Sequence, residues 1–262
     1  MRIVAINGSH RGRRGFTQVL LERMKAGAEE GGAEFSTIVL AERKLSRCLG
    51  CEACQAAGAR LRCVFDGRDD VEDIFAEMRK ADILVFATPV YVFAMSSLLK
   101  SLLERINSTC DTGDIRVSRS GLVFHQIDAE LCSKPFVLVA PFGNIDAETA
   151  QSVLSYFRSF SRFMDAPMLA ALPRSGAFIL EEAVKTAGAA LSPVMSTALG
   201  AFLEAGRDLA KRGRISTAII LRATRSVIPM PPPVRALMII KPLRGRLLAA
   251  AKASGALRIR TR

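Results

Sequence analysis

Ten residues near the amino end, Gly8-Ser9-His10-Arg11-Gly12-Arg13-Arg14-Gly15-Phe16-Thr17, combine the groups that hold a phosphate. Ser9 and Thr17 offer hydroxyl donors. Gly12 and Gly15 let the chain curl around an anion, and Arg11, Arg13 and Arg14 add positive charge. An apolar run precedes the segment and a helical pattern follows it. Unpaired backbone N–H groups and the positive helix end would then face one point. The spacing fits neither G-x-G-x-x-G nor a Walker A loop, so a mononucleotide phosphate suits it better. The plainer alternative is a strand-to-helix turn with exposed arginines.

Two further segments have the chemistry of a ligand wall. Thr88-Pro89-Val90-Tyr91-Val92-Phe93-Ala94-Met95-Ser96 is apolar and aromatic, suited to packing on a flat heterocycle while backbone groups bond its polar edge. Core packing of Tyr91 and Phe93 is the competing reading. In Pro141-Phe142-Gly143-Asn144, Gly143 would allow a ligand close to the backbone, or would simply serve a turn. Four of the six cysteines, Cys48, Cys51, Cys54 and Cys63, are crowded into one stretch. Four thiolates can hold a 4Fe–4S cluster or a tetrahedral zinc, or they can remain reduced, half-buried thiols. Cys110 and Cys132 lie outside the pattern and read as structural. With His10 and His125 the only histidines, acid–base chemistry through histidine is a poor fit.

These segments need elements to position them. Short β-branched runs at 2–6, 34–40, 82–88, 136–140 and 167–172 read as strands. Helical spacing marks 16–31, 69–80, 95–106, 146–163 and 180–211, the last with a break near Pro193. Alternating strands and helices imply right-handed crossovers and a parallel sheet. The expected fold class is α/β, a flavodoxin-like, doubly wound, five-stranded parallel sheet of order 2-1-3-4-5. In that order ligands sit beyond the carboxyl ends of strands 1 and 3, where the first two loops fall.

Half the residues are hydrophobic but only 6 % are aromatic, which points to a core of Ala, Leu, Val and Ile. The net charge of +12 is carried almost wholly after Ala205, where fourteen Lys or Arg accompany one acidic residue, Asp208. The expected division is therefore 1–212, the ligand-binding domain, and 213–262, a basic helical extension. In the extension, Leu243, Leu247 and Leu248 share a helical face while Arg244, Arg246 and Lys252 can reach water. Such a face packs on the body or a neighbouring subunit, or makes weak contact with an anionic membrane surface. Without aromatic residues to stack on bases, nucleic acid is not expected as a partner. The opening MRIVAINGSH lacks a signal-peptide pattern, and no apolar run spans a bilayer, so a cytoplasmic location is expected.

GSHRGRRGFT, CLGCEAC and ATPVYVFAMSSLLKSLLER together resemble the NADPH-dependent FMN reductases, in particular their iron–sulfur flavoprotein branch. The resemblance runs from Met1 to about Ile106 and extends more weakly to Phe163. It implies that Ser9, Arg11, Phe16 and Thr17 hold the FMN phosphate. It implies that Pro89, Val90, Tyr91 and Phe93 flank the ring and ribityl chain, with Gly143 on a third loop. Cys48, Cys51, Cys54 and Cys63 match the compact ligand motif of that branch, although some family members keep such cysteines without a cluster. His10 stands where proline is usual and Phe16 where asparagine is common, and the 107–134 stretch is longer than the pattern. The implied activity is hydride transfer from NADPH or NADH to FMN, then to a quinone, another small molecule or a protein acceptor. Homodimers or homotetramers are implied as well. The rival readings are a non-enzymatic FMN electron carrier and a redox-sensing scaffold, and the carrier fits less well because the body is neutral rather than acidic.

Overall fold

Period-two alternation is nearly absent from the strand segments, because both sheet faces are covered. The structure, a computed structural model, describes residues 1–56, 61–177, 193–226 and 232–253. Strand β1 (Arg2–Asn7) leads into α1 (Phe16–Glu30), then β2 (Glu34–Val39), α2 (Val71–Arg79) and β3 (Ile83–Ala87). A small hairpin, β4 (Val90–Tyr91) and β5 (Ala94–Met95), precedes α3 (Ser97–Arg105). A second hairpin, β6 (Asp111–Val117) and β7 (Val123–Gln126), precedes the short α4 (Ala129–Cys132). Then come β8 (Phe136–Pro141), α5 (Gln151–Met164), β9 (Met168–Arg174), α6 (Pro193–Arg212) and α7 (Thr217–Thr224). Two more helices, α8 (Pro232–Ile239) and α9 (Lys241–Ala253), follow.

The main sheet has the order β2-β1-β3-β8-β9 with every pair parallel. This is the flavodoxin-like order expected from the sequence. On one face Val4, Ile6, Leu84, Phe86, Phe136 and Leu138 join α2, α3 and α5 in one core. Their strand neighbours Ile3, Ala5, Val85 and Val137 point the other way and are equally buried, beneath the α1 layer. Aromatics are few but concentrated. Phe86, Phe136, Phe157 and Phe160 lie ring against ring at 5.3–6.2 Å, so the core is less purely aliphatic than composition implied.

Helix α1 crosses α6 with the backbones almost touching. A Cβ on Gly27 would lie 1.8 Å from the Leu203 carbonyl oxygen, and one on Gly206 would lie 1.9 Å from that of Met24. Only glycine fits at both points. Helix α6 is thus part of the main layer and holds α1 from behind.

The chain divides into two compact units, Met1–Arg225 and Ser226–Arg262. The second contains the helical pair α8 and α9, in which Ile239 and Ile240 are exposed. The side chains of Leu247, Leu248 and Lys252, part of the expected amphipathic stripe, lie outside what is described, as do residues 180–192 of the expected long helix. Among the described residues no helix is long and apolar enough to cross a membrane.

Candidate functional site

The 8–15 loop is wound tightly by its own polar groups. Asn7, fully buried, accepts the Ser9 N–H at 2.9 Å and donates to Gln18 Oε1 at 2.8 Å, tying the end of β1 to α1. Ser9 Oγ accepts the Arg11 N–H at 3.2 Å, and Gly12, at φ +55°, donates to the Ser9 carbonyl at 2.9 Å. No side chain caps α1, so its first N–H groups remain open to an anion. Thr17, on the first turn, is buried. The Arg11 guanidinium lies over the Phe16 ring at 5.7 Å, so the aromatic residue at this position orients a cation instead of contributing a polar contact. Arg13 is drawn away to Glu42, at 2.9 Å.

The second loop leaves β3 at the neighbouring strand end. Thr88 Oγ1 accepts the Ser96 N–H at 2.9 Å and so closes the base of the β4–β5 hairpin. At its tip Val92 and Phe93 both have left-handed backbones, φ +46° and +65°. They are 90 % and 65 % exposed. Ser152 on α5 donates to the Phe93 carbonyl. The third loop follows β8. Phe142 donates to the Arg174 carbonyl at 2.9 Å and accepts from Ala177 at 3.0 Å.

These three loops enclose a cleft of about 170 Å³ lined by Ser9, Arg11, Phe16, Thr17, Pro89, Val90, Tyr91, Pro141, Phe142, Gly143 and Ala177. Eight of the nine expected cofactor-site residues therefore meet, at the carboxyl ends of β1, β3 and β8. Phe93 does not line the cleft, because the hairpin turn carries it outward to the rim. Ala177 had no signal in the sequence, since it enters only by following the edge strand β9. His10 Nε2 lies 2.8 Å from Ser97 Oγ, linking the first loop to the start of α3.

Behind Ala177, Arg174 is fully buried, and no carboxylate pairs with it among the described residues. Its guanidinium donates to the carbonyls of Ser175 and Ala223 at 3.0 Å and of Arg225 at 2.5 Å. Burial lowers its pKa to about 10, and the negative carboxyl end of α7 compensates part of that cost. This side chain pins α7 to the end of the sheet beside the cleft.

The four clustered cysteines also converge. Cys48, Cys51, Cys54 and Cys63 line one cavity of about 20 Å³ with Phe65, Arg105, Asn107 and Ser108. All are free thiols. Among the described residues no group of three His, Cys, Asp or Glu side chains is placed to hold a single metal ion. In a 4Fe–4S cluster each thiolate binds a separate iron, so the four sulfurs need only surround a common space. The wall itself suits an anion: among the described residues the buried Arg105 guanidinium retains an N–H, at Nε, without an acceptor. Gln55 clasps this segment to the β6 strand, donating to the Cys110 carbonyl at 2.7 Å and accepting from Thr112 N at 3.0 Å. Burial pushes the Cys110 thiol up to about 11 and Cys132 up as well, so both are inert core groups.

Asp69 fixes Arg105 from behind at 2.6 Å. Burial raises the Asp69 pKa, but the Arg105 guanidinium and the N–H groups of Ser46 and Val71 outweigh it and hold the carboxyl below its usual range.

Residues 1–160 match the NADPH-dependent FMN reductase family. An iron–sulfur flavoprotein of Methanocaldococcus jannaschii is 36% identical over 105 residues, 40% of this chain and 51% of that protein. The chain thus spans about half the length of the curated relatives it matches. An FMN-dependent NADH-azoreductase from Bacillus anthracis, solved with FMN, shares the fold at TM-score 0.55 and 15% identity, covering 80% of this chain and 100% of that one. An NAD(P)H:quinone oxidoreductase from Methanothermobacter marburgensis does so at TM-score 0.51 and 16% identity, covering 82% and 99%.

Proposed function

This chain belongs to the NADPH-dependent FMN reductase family, and from that premise we propose that it is an NAD(P)H-dependent FMN oxidoreductase. The observation that carries the reading is the cleft at the switch point of the sheet, where a phosphate-type loop and an apolar wall face one another. Ser9, Thr17 and the open N–H groups of α1 bind the phosphate, and Arg11 supplies charge. Pro89, Val90 and Tyr91 form one side of the ring site, and Pro141, Phe142 and Gly143 form the other. Both walls are largely apolar and exclude water from a bound heterocycle. FMN, when bound, supplies hydride acceptance and electron transfer, which this chain's side chains do not.

The acceptor is a quinone-like small molecule or a redox protein. Tyr91, which lines the cleft, and Phe93 are both exposed and offer an aromatic surface to a flat acceptor. Cys48, Cys51, Cys54 and Cys63 would hold a 4Fe–4S cluster that passes electrons onward. In this reading 1–212 is the FMN-binding domain, 213–262 a basic helical extension, and the active species a homodimer or homotetramer.

One experiment tests the reading. The full chain is purified anaerobically, its visible spectrum recorded, and its reduction by NADPH and NADH followed by stopped flow. A flavin spectrum bleached rapidly by either nucleotide is expected. Flavin that neither nucleotide reduces would favour the electron carrier, and absence of flavin after FMN addition would remove the assignment.

A further inference from the structure

Arg105, on α3, is only 1 % exposed yet forms part of the wall of the cysteine cavity. Four of its contacts are accounted for. Nη1 donates to Asp69 at 2.6 Å and to the Ser46 carbonyl at 3.1 Å, and Nη2 lies 3.5 Å from Asp66. The Phe65 ring covers the guanidinium at 5.4 Å. Among the described residues the buried Nε has no hydrogen-bond partner. Leaving a buried N–H unmet is costly, and folds keep such a group chiefly where a ligand completes it. Here the surrounding cavity carries four cysteine sulfurs and no carboxylate of its own except Glu52.

We propose that Arg105 donates its Nε–H to a sulfur of the cysteine-held iron–sulfur cluster and thereby raises the cluster's reduction potential. This rests on the four-cysteine reading above. Thiolate and sulfide sulfurs gain negative charge on reduction, so a fixed donor aimed at them stabilises the reduced form more than the oxidised one. The guanidinium is already balanced by Asp69 and Asp66, so its effect is a directed bond more than a net charge. The network that holds it is rigid: Asp69 is itself tied to the backbone of Ser46 and Val71. Arg105 is a positioning and tuning residue, not a cluster ligand.

The test compares full-length protein, reconstituted anaerobically with iron and sulfide, as wild type and as Arg105→Lys. Lysine keeps a cation beside Asp69 but places no N–H at the Nε position. Iron and sulfide content, an EPR-monitored redox titration and thermal unfolding are measured on both. Each should load about four irons per chain. The FMN midpoint should not move, while the cluster's reduction equilibrium should fall by about tenfold, which for one electron is about 59 mV more negative. Equal cluster potentials in two loaded proteins would overturn the role of Arg105 and leave the cluster standing, whatever happens to the melting temperature. A wild type that takes up no iron would remove the four-cysteine reading and the proposal with it. Should Arg105→Lys misfold, Arg105→Met combined with Asp69→Asn removes donor and buried charge together, and the same lowered potential is expected.

Discussion

Ser9 and Thr17 are almost completely buried, yet their hydroxyls face the one place where the first turn of α1 is uncapped. Each can give a charge-assisted hydrogen bond worth about 1.5–3 kcal/mol. Replacing both by Ala should therefore raise the FMN dissociation constant by about a hundredfold or more. Fluorescence titration of FMN into the apoprotein measures this, and an unchanged constant would move the phosphate elsewhere. Both residues were legible in the sequence, because hydroxyls and glycines between a strand and a helix have few other uses. Phe16 was legible as a site residue but not in its role. Its ring takes the Arg11 guanidinium, a contact that exists only once the loop has curled. Arg105 carried no such signal, since an arginine inside an amphipathic helix pattern reads as surface. Its burial comes from Asp69, a residue 36 positions away that the fold brings to it.

At the scale of elements, the hairpin β4–β5 stands apart. Two-residue hairpins with left-handed turns favour Asn-Gly, and here the turn is Val92-Phe93. A left-handed backbone costs a residue with a Cβ about 1–2 kcal/mol, and a β-branched valine sits poorly there. Changing Val92 to Asn and Phe93 to Gly together should stabilise the protein by about 1–2 kcal/mol, seen as a rise of several degrees in thermal midpoint. A lower midpoint would show that the exposed side chains stabilise the fold in some other way. Strain beside a cleft is consistent with selection for the aromatic rim and not for stability. The sequence did not reveal this hairpin because its turn contains none of the usual turn residues. The β6–β7 hairpin was hidden for another reason. Its outer face shows Ile115, Val117 and Val123 to solvent, and its inner face is held by Arg116 to Asp165 and Phe124 to Phe163 at 5.4 Å. Partners from α5 and its carboxyl end, not local pattern, make those residues a hairpin.

Over the whole molecule, charge is segregated: the body is close to neutral and the last 58 residues are basic. The start of that basic stretch, the last turns of α6 and all of α7, belongs to the first compact unit, so the division between body and tail is not simply a charge boundary. Each Lys or Arg near an anionic lipid surface contributes about 1 kcal/mol, and exposed Ile239 and Ile240 add apolar area. Removing the chain after Ile228 should accordingly weaken co-sedimentation with vesicles containing phosphatidylserine. Equal sedimentation of the two forms would dismiss the membrane contact, and a shortened chain that fails to fold would favour packing of the tail. What the sequence determined alone was local or periodic: the strand and helix rhythm, hence the sheet order, and the two loops that chemistry places at its switch point. These follow because hydrophobic periodicity and loop composition act over a few residues. Only the tertiary structure decided which charges are buried, where Phe93 points, that Ala177 closes the cleft, and that four cysteines share a cavity with an unmet donor. Each of those depends on residues far apart in the chain, and burial, which sets their energies, is a property of the packed whole.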